Sequence, residues 1–104
     1  MINLIKKLFG IGPKTDYSQL LKNGAIILDV RSTGEYSGGH IQGSLNIPVD
    51  QLKKNMNKLK DKKKPIITCC ASGMRSASAK SMLISAGYEE VYNGGGWYRL
   101  QSKL

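Results

Sequence analysis

The sequence predicts one α/β domain in three layers, with a parallel sheet between two layers of helices. Two observations predict this class. Residues 25–28 and 65–69 are continuous apolar runs with paired isoleucines, as expected of strands that are buried on both faces. Short strands of this kind alternate with helical patterns along the chain, which is typical of a parallel sheet. With 104 residues, the chain has the length for a single packed core.

The domain opens with a short helix and a strand. Asp16 or Ser18 can cap the helix, which ends near the Asn-Gly pair at residues 23–24. The strand at residues 25–28 follows and stops abruptly at the charged residue Asp29. The carboxyl ends of the strands form the ligand crevice in open α/β sheets, so this edge is the place to look for a site.

The middle of the chain alternates turns with short elements. It predicts a helical turn, a glycine-rich loop and a brief strand, at residues 33–36, 38–43 and 45–47. Asp50 can cap the helix that follows. Three apolar residues of that helix recur at i, i+4 and i+7, as on a buried face: Leu52, Met56 and Leu59.

The second half contains the strand at residues 65–69, a tight loop and a helix predicted over residues 75–86. The apolar stripe of this helix is Ala79, Met82, Leu83 and Ala86. Gly87 is well placed to end it. A last strand, a glycine loop and a closing helix are predicted near residues 90–92, 93–96 and 97–100.

The charge of the chain favours anionic ligands. Lys and Arg number 16 against 7 Asp and Glu, which gives a formal net charge of +9. Much of the excess lies in one polar segment, residues 53–64. Lysines without interleaved aromatic residues are typical of a solvated helix face, so we expect no specific binding of nucleic acid.

Residues 1–13 form an N-terminal segment that precedes the domain at residues 14–104. The segment has the pattern of a short amphipathic helix. Lys6 and Lys7 interrupt its apolar run and no small-residue cleavage site follows, so we expect neither a signal peptide nor a membrane span.

The two cysteines, Cys69 and Cys70, are adjacent. Neighbouring residues of a strand point to opposite faces, which places the two sulfur atoms poorly for a disulfide. We therefore expect free thiols and a reducing compartment, the cytoplasm.

The loop after Cys70 is the candidate site. It joins a buried strand to the start of a helix, where free backbone N–H groups and the helix dipole attract anions. A cysteine in such a loop is expected to act as a nucleophile near neutral pH. Asp29 and Arg31 follow a neighbouring strand and fall at the same edge of the sheet.

Four stretches of the chain resemble the single-domain rhodanese-like sulfurtransferases. They occur in the order of the family and are, in this sequence, LDVR with EY at residues 28–36, GHI through GSLNIP at 39–48, CASGMRS at 70–76 and GGGW at 94–97. The resemblance covers about residues 16–100, and four motifs in order make chance a poor explanation.

The resemblance implies a three-layer fold with a central, mainly parallel sheet of five strands flanked by helices. It also implies that Cys70 is catalytic and opens a six-residue loop. The residues that would bind the substrate are then Ala71, Ser72, Gly73, Met74 and Arg75. The implied reaction transfers a sulfane sulfur from thiosulfate or a persulfide, through a Cys70 persulfide, to a thiol or cyanide. No cofactor or metal is implied, and we expect a monomer.

Three residues are expected to support this loop: Asp29, Arg31 and His40. Asp29 and Arg31, with Glu35, are expected to form salt bridges beside the crevice. His40 is expected to hold a turn by hydrogen bonding to the backbone, because an activated thiolate needs no general base. Arg75 can contact the anionic donor, tie the loop to a carboxylate such as Asp29, or do both. Trp97 is expected in the core or the pocket wall.

Cys69 offers a second interpretation. Counted from Cys69, five residues separate the cysteine from Arg75, the spacing of cysteine-dependent phosphatases and related arsenate reductases. Gly73 lies three residues after Cys70 as in rhodaneses, and Thr68 stands where the phosphatase signature usually has histidine. The strand pattern makes Cys69 the last buried residue, so we expect it to be a small apolar core residue.

A third interpretation is a non-enzymatic module that relays sulfur or binds a partner protein through its basic surface. The intact cysteine loop argues against an inactive domain. A relay protein would also retain this cysteine, so the sequence leaves enzyme and relay open.

Overall fold

A computed structural model describes residues 15–104 as an α/β fold with four parallel strands in one sheet. The strands are β1 (Ile26–Asp29), β2 (Leu45–Asn46), β3 (Ile66–Cys70) and β4 (Val91–Gly96). Their order across the sheet is β2-β1-β3-β4, which places β1 and β3 in the centre. Parallel neighbours require crossover connections, and these carry the helices.

The helices cover both faces of the sheet and confirm the predicted three layers. They are α1 (Tyr17–Lys22), α2 (Thr33–Ser37), α3 (Met74–Ser85) and α4 (Trp97–Gln101), with two 3₁₀ segments at Val49–Gln51 and Lys53–Lys58. α3 packs on one face through Ala79 and Leu83. α4 packs on the other face through Leu100.

β3 separates two hydrophobic clusters. Ile66 and Cys70 belong to the cluster under α3, whereas Ile67 and Cys69 belong to the cluster under α4. All five residues of the strand are buried, as predicted for a strand covered on both faces. Burial of an isoleucine side chain such as Ile67 stabilises the fold by about 1.5–3 kcal/mol.

Two predicted helix ends are confirmed. The side chain of Asp16 caps α1 by accepting a hydrogen bond of 3.0 Å from the Gln19 N–H. Gly87, with φ of +98°, ends α3 in a left-handed conformation. The Tyr88 N–H then reaches back to the Leu83 carbonyl at 3.1 Å, the hydrogen bond of a Schellman motif.

The α-helix predicted after Asp50 is wrong. The segment forms two short 3₁₀ turns, and Asp50 makes no capping hydrogen bond. The backbone departs from helical geometry at Asn55, whose side chain donates to the Gln51 carbonyl at 2.8 Å. Such a side-chain bond competes with helical hydrogen bonding. The predicted buried face is correct in part, since Leu52 and Leu59 are fully buried.

The glycine loop predicted at residues 93–96 is wrong too, because these residues continue β4. Because glycine has no side chain, β4 can lie close to β3 and to Leu100 of α4 at Gly94. A Cβ atom on Gly94 would lie 2.8 Å from the Thr68 carbonyl oxygen and 2.8 Å from Leu100. Between the pairs Thr68–Asn93 and Cys70–Gly96, β4 contains one residue more than β3, which makes a bulge at the end of the strand.

The described residues contain four strands, where the family resemblance implies five. The remaining connections in residues 15–104 are helical, glycine-rich or lysine-rich, and none offers another β-branched run. The predicted N-terminal segment, residues 1–13, lies outside the described residues. None of the helices in residues 15–104 combines the length and apolar character that crossing a membrane requires.

Candidate active site

Cys70 is the last residue of β3, at the carboxyl edge of the sheet. Its Sγ atom accepts hydrogen bonds from the N–H groups of Gly73 at 2.9 Å and Ser76 at 3.3 Å. The loop therefore closes over the sulfur, and the residue is only 1% exposed. This arrangement confirms the predicted order of strand, tight loop and helix. It stabilises a thiolate, because both donors point at the atom that carries the charge.

The turn at Gly73 creates this geometry. Gly73 has a φ of +112°, in the left-handed region that favours glycine, and it is the residue that precedes α3. The next amide groups, those of Met74 and Arg75, donate to no acceptor within residues 15–104. Free N–H groups at the start of a helix are donors for an anion. Ala71, Ser72 and Met74 are exposed around them.

Cys69 lies on the opposite face of β3. It is fully buried in the apolar cluster under α4, beside residues such as Ile67 and Leu100. Burial raises the pKa of the Cys69 thiol to about 12, so the thiol stays protonated near neutral pH. The strand ends one residue later than predicted, at Cys70, which is buried as well. Both cysteines are free thiols, as predicted.

Asp29 and Arg31 form a buried ion pair beside the loop. The Arg31 guanidinium donates to both carboxylate oxygens of Asp29, with distances of 2.7 to 3.1 Å. It also donates to the Gly39 carbonyl at 2.7 Å and lies 4.7 Å from the centre of the Trp97 ring. The hydrogen bond to Asp29 raises the pKa of Arg31. The contacts place the pair beside the loop, where the sequence predicts a supporting role for it.

Arg75 pairs with Glu35 in α2. Arg75 donates to the two carboxylate oxygens of Glu35 at 2.7 and 3.0 Å. Arg75 thus ties the loop to a carboxylate, as suggested, but the carboxylate is Glu35, because that of Asp29 is occupied by Arg31 in the buried pair. The bonds from Arg75, followed by those from Ser32, lower the pKa of Glu35 to about 2. Glu35 therefore stays ionised at neutral pH.

His40 lies in the turn before β2. Its Nδ1 atom lies 2.8 Å from the Tyr36 carbonyl oxygen, and its ring stacks on the Tyr36 ring with 3.8 Å between centroids. No hydrogen bond of the described residues joins His40 to Cys70. The position of His40 agrees with a structural role.

A polar network that the sequence did not predict lies behind the loop. The Ser76 hydroxyl lies 2.7 Å from the Thr68 hydroxyl and donates to the Asn93 side-chain oxygen at 2.6 Å. The same oxygen of Asn93 accepts the Gly95 N–H at 2.9 Å. The network ties the start of α3, which donates to Cys70, to β3 and β4. The available signal was the position of Ser76, a polar residue three positions before Ala79 on the apolar stripe of α3.

Gly96 provides a test of how closely β4 must approach the loop. A Cβ atom on Gly96 would lie 2.9 Å from the Ala71 carbonyl oxygen, so the loop must move in Gly96→Ala. A displacement of about 1 Å in an active site lowers rates by up to about 100-fold, and we expect Gly96→Ala to lower the rate of the reaction at Cys70 by about 10- to 100-fold.

Steady-state assays of the reaction that the family resemblance implies, sulfur transfer from thiosulfate to cyanide, would measure this effect. Gly34→Ala is the matched control, since a Cβ on Gly34 meets nothing within 4 Å. The control is expected to retain wild-type activity. Equal activities of the two variants would show that the approach of β4 does not shape the loop.

Residues 15–104 contain no group of three His, Cys, Asp or Glu side chains placed to hold a metal ion.

Known proteins resemble this chain in sequence and in fold. The family of the rhodanese-like domain matches residues 14–103. YqhL of Bacillus subtilis is 39% identical over 75 residues, which span 72% of this chain and 59% of YqhL, less than two thirds of that protein. The thiosulfate sulfurtransferase PspE of Escherichia coli is 36% identical over 70 residues, or 66% of this chain and 67% of PspE.

A solved structure, a rhodanese with anions from Escherichia coli, superposes with a TM-score of 0.69 at 32% sequence identity. The match covers 73% of this chain and 91% of that one. The family match at residues 14–103 includes Cys70 and its loop.

Proposed function

Because the chain belongs to the rhodanese-like family, we propose that it is a sulfurtransferase that carries a sulfane sulfur on Cys70 as a persulfide. The observation that carries the proposal is the pair of N–H groups, from Gly73 and Ser76, that point at the Cys70 sulfur. The same donors that stabilise a thiolate stabilise the negative charge of a persulfide in the loop.

The reaction has two steps. The Cys70 thiolate attacks the outer sulfur of thiosulfate, a new S–S bond forms, and the old S–S bond breaks as its electron pair leaves with sulfite. A thiolate or cyanide then attacks the terminal sulfur of the persulfide. The Cys70 thiolate leaves with the electron pair of that bond, and the protein is ready for another cycle.

The loop residues Ala71, Ser72, Gly73, Met74 and Arg75 are proposed to bind the donor. The free amide groups of Met74 and Arg75 support this role, because the start of α3 attracts anions. Asp29, Arg31 and His40 are proposed to support the loop without touching the transferred sulfur.

Thiosulfate is the proposed donor because the relative PspE carries that activity in its name. The related E. coli structure is described as holding anions, which agrees with an anionic donor. Thiol or cyanide acceptors remain part of the proposal. The cytoplasmic location and the monomeric state stay predictions from the sequence.

Mass spectrometry of the intact protein tests the proposal. After incubation with thiosulfate, we expect the protein to gain the mass of one sulfur atom and to release an equal amount of sulfite. Addition of cyanide should restore the original mass and yield thiocyanate. A protein that gains no sulfur and releases no sulfite would refute the proposed activity.

The interpretation that starts from Cys69 gains no support. Phosphatase or arsenate reductase chemistry needs a thiolate at Cys69, and the burial that raises the pKa of that thiol to about 12 opposes one.

A further inference from the structure

The ion pair between Arg75 and Glu35 joins the cysteine loop to α2, although the two residues are 40 positions apart in the chain. Both side chains are 38% exposed, so the pair lies at the surface of the site. The contact uses two nitrogen atoms of the guanidinium and both carboxylate oxygens, which fixes its direction as well as its distance.

Glu35 is held in place by its own helix. Its carboxylate accepts hydrogen bonds of 3.1 Å from both the N–H and the hydroxyl of Ser32. The Glu35 N–H donates in return to the Ser32 hydroxyl at 3.2 Å, which completes a capping box at the start of α2. The carboxylate is therefore a fixed charge that faces the loop, and it does not depend on Arg75 for its position.

Arg75 is the only cationic side chain in the sequence from Cys70 to Ser76. Its Nη1 and Nη2 atoms are engaged by Glu35. The positive charge that the loop offers to a donor is thus largely compensated, and attraction to an anion depends chiefly on the backbone N–H groups.

We propose that Glu35 determines donor specificity: by neutralising Arg75, it restrains the attraction of the loop for dianionic donors and favours donors of lower charge, such as persulfides and thiosulfonates. This inference rests on the proposed sulfur transfer at Cys70. Glu35 acts through Arg75 and does not touch the transferred sulfur.

Two donors that differ in charge test the inference. Thiosulfate carries two negative charges and methanethiosulfonate carries one, and each transfers a single outer sulfur to Cys70. The bond that forms is the same; the leaving group is sulfite in one case and methanesulfinate in the other. The measured quantity is the ratio of kcat/KM for thiosulfate to kcat/KM for methanethiosulfonate.

Glu35→Gln is expected to raise this ratio about two- to fivefold, the range of a surface ion pair. Glutamine also completes a capping box, so α2 should remain folded and the melting temperature should change little. The gain should shrink at high salt, because screening weakens interactions between exposed charges. Arg75→Gln, which leaves the carboxylate unpaired, is expected to lower the ratio.

Glu89→Gln is the matched control. It changes the net charge by the same amount, but Glu89 is exposed and precedes β4, at the opposite edge of the sheet from Cys70. Its ratio should equal that of the wild type. An unchanged or lower ratio in Glu35→Gln would overturn the inference while leaving sulfur transfer intact. A wild type that uses neither donor would instead refute the proposed function.

Discussion

Replacing Cys70 by serine is expected to abolish sulfur transfer, with a loss of kcat/KM on the order of 10³-fold or more. A serine oxygen cannot carry the sulfane sulfur as a persulfide. The fold should survive, because the serine oxygen can accept the N–H groups of Gly73 and Ser76 that now reach the sulfur. Thiocyanate production from thiosulfate and cyanide measures the activity, and intact mass measures the adduct.

The adjacent cysteine is the matched control for this experiment. Cys69→Ala removes a thiol from the apolar cluster under α4 and should lower the free energy of unfolding by about 1–2 kcal/mol through the small cavity that it leaves. Sulfur transfer should be retained. Activity that survives in Cys70→Ser and disappears in Cys69→Ala would move the chemistry to Cys69 and contradict the proposed mechanism.

Asp29→Asn is expected to lower the free energy of unfolding by about 3–5 kcal/mol, a large share of the roughly 5–15 kcal/mol by which a typical domain is stable. The side chains of Asp29 and Arg31 are 0% and 5% exposed. Asparagine leaves the Arg31 charge buried without a partner of opposite charge. Its N–H₂ group would also face hydrogen-bond donors in place of a carboxylate oxygen; one of these donors is the Arg31 backbone N–H, which lies 3.0 Å from Asp29 Oδ1. Urea unfolding measures the loss.

Two variants control this prediction. Glu35→Gln breaks an exposed ion pair and should change the free energy of unfolding little. Arg31→Met added to Asp29→Asn removes the unpaired charge and should recover part of the stability. If Asp29→Asn costs as little as Glu35→Gln, the buried pair does not hold this edge of the sheet.

Local sequence signals predicted most elements of the fold. Asp16 marks the start of α1 and Gly87 the end of α3, because caps depend on the residue type at a single position. The 3₁₀ turns were missed because Asn55 bonds to the backbone, which an apolar stripe does not reveal. The continuation of β4 through Gly94 was missed because glycine patterns also predict loops, and only packing against β3 distinguishes the two.

The sequence by itself determined the order of strand, loop and helix around Cys70 and the placement of the two thiols on opposite faces of one strand. Both follow from local rules, namely the period of two in a strand and the need for glycine in a tight turn. Only the tertiary structure decided that Arg75 pairs with Glu35 and that Ser76 bonds to Asn93. Such contacts join residues that are distant in the chain, so they depend on how the elements pack.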